Sequence, residues 1–333
     1  MKKLLFALLF FNLTVNAQDL LFSSSDVLEL SILTDMGQLL KMSPDTATVP
    51  AIIKSKLAGE IVETECRLRK RGVARQKPDV CKFPPILVRF DTLNQSSLFW
   101  PSKKLKLVTH CQSGMESYEQ YLILEYLVYK MYNLFTSYSF KVRMVHMNYI
   151  DIKNPTDTLK KLAFFIEDQN RLTNSLNCTI EENEKVHQEW TNRDAMTILS
   201  LFQFMIGNVD WAIPGQHNIK LLKPAEQKAL FAVPYDFDCT GFINPPYASA
   251  NEQLGQLSVQ QRIFRGYART DEELEAAFAV FKQKRQSIDS LIMNQVYLKE
   301  RYKTRALDYI GEFYKIIENP KQVNKKIKRS FRE

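Results

Sequence analysis

Asp210, Asn218, Asp236 and Asp238 fall within one stretch, 206–241. Asp210 and Asn218 follow an apolar, helix-like run, and Asp236 and Asp238 follow the next two strand-like runs. A carboxylate just past a tight Gly207-Asn208 turn can orient or deprotonate an attacking hydroxyl. An amide oxygen with one or two carboxylates is a ligand set for a hard cation such as Mg2+ or Mn2+. With a cation to hold nucleotide phosphates, this is the inventory of phosphoryl transfer from ATP. Asp210 would be the base, and Asn218 with Asp236, Asp238 or both would be the metal ligands.

The cation expected from the pattern is Lys106, in the run KLKLVTH, where Lys104 shares its face by the two-residue alternation of a strand. A glutamate on the following helix should hold it, and Glu125, near the middle of that helix, is preferred to Glu119. Phosphate contacts would come from the basic turn around Arg71, Gly72 and Arg75, since no G-x-G-x-x-G loop is present. Other candidates have plainer readings: His217 hydrogen-bonds its own loop, Trp211 and Tyr235 pack it, and Cys239 is a small buried residue with no basic neighbour. The tyrosines at 118, 121, 126, 129 and 132 read as a helix packed against a sheet. A metal-dependent hydrolase built on Asp210, His217, Asp236 and Asp238 ranks last, because such sites use more histidines than the four scattered here.

The elements that must position these groups follow from hydrophobic period. Alternation predicts strands over 26–33, 49–57, 60–70, 86–91 and 103–110, then a long helix over 116–135, then strands over 140–151 and 161–167. The stretch 174–189 is polar and reads as loop. Asn192 is a helix cap for 194–206. Strands over 219–222 and 229–233 form the hairpin joining the Asp210 loop to Asp236. Helices are expected over 259–266, 271–281 and 286–317, the last one broken. The resulting fold class is α+β: a β-rich part, 18–170, carrying helix 116–135, and a mainly helical part, 171–333, carrying the loop 206–241, with a cleft between them.

Asn208-Val209-Asp210-Trp211, then Asn218, then Asp236-Phe237-Asp238 before a glycine, resembles the protein-kinase-like superfamily, and within it the spore-coat CotH kinase-like family. The Arg71-Gly72 turn looks like that family's Arg-Gly segment, and the resemblance spans roughly 69–241. It implies a two-lobed fold, with an antiparallel β-rich N-lobe and a helical C-lobe. It further implies ATP and Mg2+ (or Mn2+), with Lys106, Glu125, Arg71 and Gly72 toward the nucleotide, Asp210 catalytic, and Asn218, Asp236 and Asp238 toward the metal. Two departures stand out. Asp210 and Asn218 are eight apart, whereas protein kinases place these residues five apart, and Asp238 replaces the glycine of D-F-G. The alternative on the same fold is an inactive pseudokinase or envelope-binding module.

Met1-Lys2-Lys3, an apolar run to Leu13 and Val15-Asn16-Ala17 have the three parts of a secretory signal peptide, 1–17, so the mature chain is expected in the periplasm or secreted. That location directs transfer toward a protein or small envelope acceptor. No later run is long and apolar enough to span a bilayer. Formal charge is +8, or +6 without Lys2 and Lys3, in a chain of 333 residues. No nucleic-acid-binding motif accompanies that excess, so no nucleic-acid partner is expected. Five cysteines in an exported chain favour a disulfide, and Cys66 with Cys81, flanking a turn, is the expected pair.

Overall fold

The computed structural model describes residues 20–42, 47–57, 59–72 and 74–332; the expected signal peptide lies outside them. Strands β1 (Leu28–Thr34), β2 (Val49–Leu57), β3 (Glu60–Lys70), β4 (Ile86–Arg89) and β5 (Lys104–Val108) precede helix α2 (Glu116–Asn133), with a short helix α1 (Met36–Lys41) after β1. Strands β6 (Val142–Asp151) and β7 (Asn154–Ile166) follow α2. Alternating burial in β3 turns Thr64, Cys66, Leu68 and Lys70 inward. That period is what a strand with one face in the core requires.

The seven strands close into a barrel in the order β1-β2-β3-β4-β5-β7-β6. The expected sheet was antiparallel throughout, but closure comes from a parallel pairing of β1 with β6, Leu28 opposite Val145 through Thr34 opposite Asp151. Closure removes the edges an open sheet would expose. The barrel interior is one apolar core, with Ile32, Ile53, Leu68, Leu107 and Phe165 among its most buried members. Helix α2 lies outside the barrel. It is buried on nearly every side, its residues from Leu122 to Tyr129 joining β6 and β7 to the helical half in a second core.

The second half contains α3 (Gln169–Ser175), β8 (Cys178–Glu181), α4 (Arg193–Ile206), β9 (Ile219–Pro224), β10 (Phe231–Pro234), α5 (Asp271–Met293), α6 (Glu300–Ile317) and α7 (Pro320–Lys326). The expected loop over 174–189 thus contains a strand, which pairs with β9 to make a three-stranded sheet. The helix expected over 259–266 does not form. Its arginines reach other elements instead: Arg262 donates to the carbonyls of Met205 and Tyr309, and Arg265 to those of Val209 and Trp211. Those partners lie on α4, α6 and the Asp210 loop, so the segment is held irregular by tertiary bonds that outweigh local propensity. The Cys66–Cys81 expectation is also corrected, since Cys81 pairs with Cys111 and Cys66 is a free, buried thiol. Cys66 alternates into the barrel core, whereas Cys81 lies outside it next to the end of β5. No helix among the described residues is long and apolar enough to cross a membrane.

Candidate functional site

Asn192 caps α4, its side chain accepting the Ala195 N–H, and the helix ends at Gly207 in the left-handed region at φ 65°. A Cβ on Gly207 would also collide with the Tyr309 hydroxyl, so glycine is required on two counts. The chain then turns through Asn208. Its Oδ1 accepts the Asp210 N–H at 2.9 Å, and its Nδ2 donates to Gln203 Oε1 at 3.0 Å. The loop is braced further by Arg265 and by the buried Trp211 side chain.

This leaves the Asp210 carboxylate half in solvent, with 53% of the side chain exposed. Its Oδ1 lies 2.6 Å from His217 Nε2, and Asn218 Nδ2 donates to its Oδ2 at 3.0 Å and to its backbone oxygen at 2.8 Å. Asn218, at φ 51°, therefore makes its bonds to Asp210 through nitrogen, and its Oδ1 makes no hydrogen bond among the described residues.

The β9–β10 hairpin brings the second acidic pair alongside. Ile219 pairs with Pro234, and the Tyr235 N–H donates to the Asn218 carbonyl at 3.0 Å, so Asp236 emerges beside the Asp210 loop. Asp236 is at φ 61°, and its N–H donates to the Tyr129 hydroxyl of α2 at 3.0 Å. Phe237 is fully buried, edge-on to Tyr129 with ring centroids 4.8 Å apart. Between two residues that point toward the site, Phe237 is the anchor that points into the core.

Three carboxylates converge on one guanidinium. Arg75, in a short 3-10 turn after β3, places Nη1 3.2 Å from Glu125 Oε2, Nη2 3.2 Å from Asp236 Oδ1 and Nε 3.1 Å from Asp238 Oδ2. Arg75, Glu125 and Asp238 are all buried. Burial pushes the Glu125 carboxyl up to about 8 against the pull of Arg75. The Asp238 carboxyl is likewise raised by burial, opposed by Arg75, with the charges of Asp236 and Asp210 adding to the rise. Glu125 Oε1 is buried without a hydrogen-bond partner. The Cys81–Cys111 bridge ties the segment after Arg75 to the end of β5.

The partner of Glu125 is therefore Arg75, where Lys106 was expected. Leu105 and Leu107 turn into the barrel and Lys106 turns out of it, onto the ring of Tyr235, its Nζ 4.7 Å from the centroid. Lys106 makes no ion pair with any described residue. It lines a cavity of about 80 Å³ with Lys104, Lys220, Asp168 and Phe140. Burial, and then the charge of Arg71, bring its ammonium down to about 8. Arg71 has a buried Nη1 with no hydrogen-bond partner, and its charge is felt by Lys106, Glu125 and Asp238 alike. Gly72, at φ 99°, allows the turn, and its carbonyl accepts from Gln76 Nε2.

The sequence reading assigned Arg75 to phosphates and missed its role as the hub. The available signal was a second arginine in the Arg-Gly turn. Cys239 is half-buried, and desolvation pushes its thiol up, which leaves it little thiolate character. Among the described residues no group of three or more His, Cys, Asp or Glu side chains is arranged to hold a metal ion. The set of Asn218, Asp236 and Asp238 is of another kind, an amide and two carboxylates. Its donors are all oxygen, and each carboxylate keeps one oxygen off Arg75, so its chemistry fits Mg2+ or Mn2+.

A scan against protein-family models finds no match, and a search of curated proteins finds none either. Among solved structures, the chain is similar to the crystal structure of a Helicobacter pylori proinflammatory kinase, CtkA. The identity is 12% and the TM-score 0.37, over 74% of this chain and 95% of that one. A score at that level does not define a fold family.

Proposed function

We propose that this chain is an exported, kinase-like phosphotransferase of CotH-like type, moving the γ-phosphoryl of ATP, with Mg2+ or Mn2+, to a hydroxyl on an envelope or secreted acceptor. One observation carries the reading: a cation from the β-rich half is bonded both to a glutamate on the packed helix α2 and to the acidic pair after the hairpin. A cation–glutamate pair on a mobile helix, next to a metal-binding Asp, is the device that readies a protein kinase for catalysis. Under this reading Arg75 takes the part of the paired cation. Lys106 and Arg71, cations without carboxylate partners, face the nucleotide phosphates, with Gly72 in the turn beside them. The barrel with α2 is the N-lobe, and the elements from α3 onward are the C-lobe.

Asp210 orients the acceptor hydroxyl and takes its proton, with His217 and Asn218 fixing the carboxylate. Asn218, Asp236 and Asp238 would hold the metal, which would supply neutralisation of phosphate charge. Export rests on the signal-peptide pattern of 1–17. Asp210→Ala should abolish transfer of labelled γ-phosphoryl to an acceptor, or the release of ADP, while leaving thermal stability intact. Equal turnover by that variant would sink the proposal.

The second reading, a pseudokinase or envelope-binding module, is favoured by a different observation. The cavity at Lys106 measures about 80 Å³, well under the roughly 300–1,000 Å³ of small-molecule sites. Nucleotide entry therefore needs the lining of that cavity to move apart. Mg-ATP at 100 times its Kd should add about 2.7 kcal/mol to stability if it binds the folded state alone. A melting curve that Mg-ATP leaves unmoved favours the binding module.

A further inference from the structure

We infer that Arg75 is the resident cation of the acidic cluster and that a divalent metal ion must compete with it for Asp236 and Asp238. The inference rests on the proposed reading only in taking those two carboxylates as metal ligands. Each of the three guanidinium nitrogen positions is used, one for each carboxylate. The three carboxylates share one guanidinium, and no other cation forms an ion pair with them among the described residues. Arg75 also leaves one oxygen of the cluster unserved, since Glu125 Oε1 is buried with no donor.

The three bonds of Arg75 differ in how easily they can be given up. Glu125 is on α2, deep in the core, with 3% of its side chain exposed, whereas the Asp236 side chain is 37% exposed. Asp236 is turned onto Arg75 by a backbone at φ 61° held to the Tyr129 hydroxyl, on the same helix as Glu125. Asp236, the most exposed of the three carboxylates, would be the first to give up its bond to Arg75 for a divalent ion, and Asp238, at 11% exposed, the next. The Nη1–Glu125 bond stays. Metal uptake therefore leaves Arg75 anchored to α2 with two donors released, turned toward whatever anion accompanies the metal. The arginine fork fixes where the released donors point, whereas the three donors of a lysine ammonium rotate about a single nitrogen.

Mn2+ binding to the full chain, measured by electron paramagnetic resonance without nucleotide, tests this. Wild type should bind weakly and Arg75→Met at least tenfold more tightly. Asp236→Asn added to Arg75→Met should remove the gain. Mn2+ should also raise the melting temperature of Arg75→Met more than that of wild type. Should Arg75→Met not fold, Arg75→Lys serves in its place, with an affinity between the two. Equal Mn2+ affinity in wild type and either variant overturns the inference, as does a gain that survives Asp236→Asn. Binding of ADP without metal, compared between wild type and Lys106→Met, separates this outcome from the functional reading. If ADP binding is absent while Mn2+ affinity follows Arg75, the transferase reading fails and the competition stands. If ADP depends on Lys106 while Mn2+ ignores Arg75, the reverse holds.

Discussion

Two basic groups, Arg75 and Lys106, border the same site in opposite electrostatic circumstances. Arg75 is buried among three carboxylates, with all three nitrogen positions used. Lys106 is partly buried against an aromatic ring, with Arg71, Lys220 and Lys104 disfavouring its charge, Asp236 favouring it, and no carboxylate in ion-pair contact. A buried charge that is paired and hydrogen-bonded belongs to the folded architecture. A buried charge left among like charges is costly to the fold and persists where something else requires it. The first region joins α2 to the acidic loop, and the second is left with no carboxylate ion pair.

The largest effect should come from breaking the paired region. Arg75→Met leaves Glu125 and Asp238 buried without their ion-pair partner, and removing one partner of a buried ion pair costs about 3–5 kcal/mol. Urea denaturation of wild type and variant in metal-free buffer measures it. A loss below about 1 kcal/mol would mean that the cluster is not a joint between α2 and the acidic loop.

The same experiment on Lys106 should give the opposite sign. Its ammonium is held down to about 8 from 10.5, a displacement worth about 3 kcal/mol against the charged form. Lys106→Met forfeits only the ring contact, worth about 0.5–2 kcal/mol. At pH 7 the variant should thus match wild type or exceed it by about 1–3 kcal/mol, while losing affinity for ADP. The pH dependence sharpens this. Between about pH 8 and 10.5 the unfolded chain keeps the Lys106 proton that the folded chain has released. The unfolded state binds more protons there, so the Lys106 contribution to stability rises with pH. Glu125, raised to about 8, works the other way, because the folded state is the one holding the extra proton as pH rises toward 8. The Lys106 part is therefore read as the difference between wild type and Lys106→Met, and the advantage of the variant should shrink across that window. A difference independent of pH would mean that Lys106 is solvated.

Much of this site was legible from residue type and spacing, because its parts are local. The β2 and β3 strands follow strict alternation, α4 has a capping asparagine and a terminal glycine, and the hairpin carries Asp236 to Asn218 by simple pairing. What was not legible depends on contacts between distant residues. The Arg75–Glu125 bond joins residues 50 apart and the Arg75–Asp236 bond residues 161 apart, and no pattern states which of two nearby cations a helix glutamate will choose. Barrel closure is similar, since the parallel β1–β6 pairing leaves no mark on either strand alone. The failed helix at 259–266 had the right residues, but Arg262 and Arg265 were committed to carbonyls elsewhere.

The smallest expected effect lies between the two regions, at Asp210. Its carboxylate is held by His217 and Asn218, yet 53% of the side chain is exposed. Exposed polar contacts of this kind contribute little to folding. Asp210→Ala should shift stability by no more than about 0.5 kcal/mol by denaturant titration, far less than Arg75→Met. A residue with two side-chain partners and almost no weight in stability is oriented for something other than the fold. A loss of 2 kcal/mol or more on this substitution would place Asp210 with the structural carboxylates around Arg75 and remove the reason to treat it as the base.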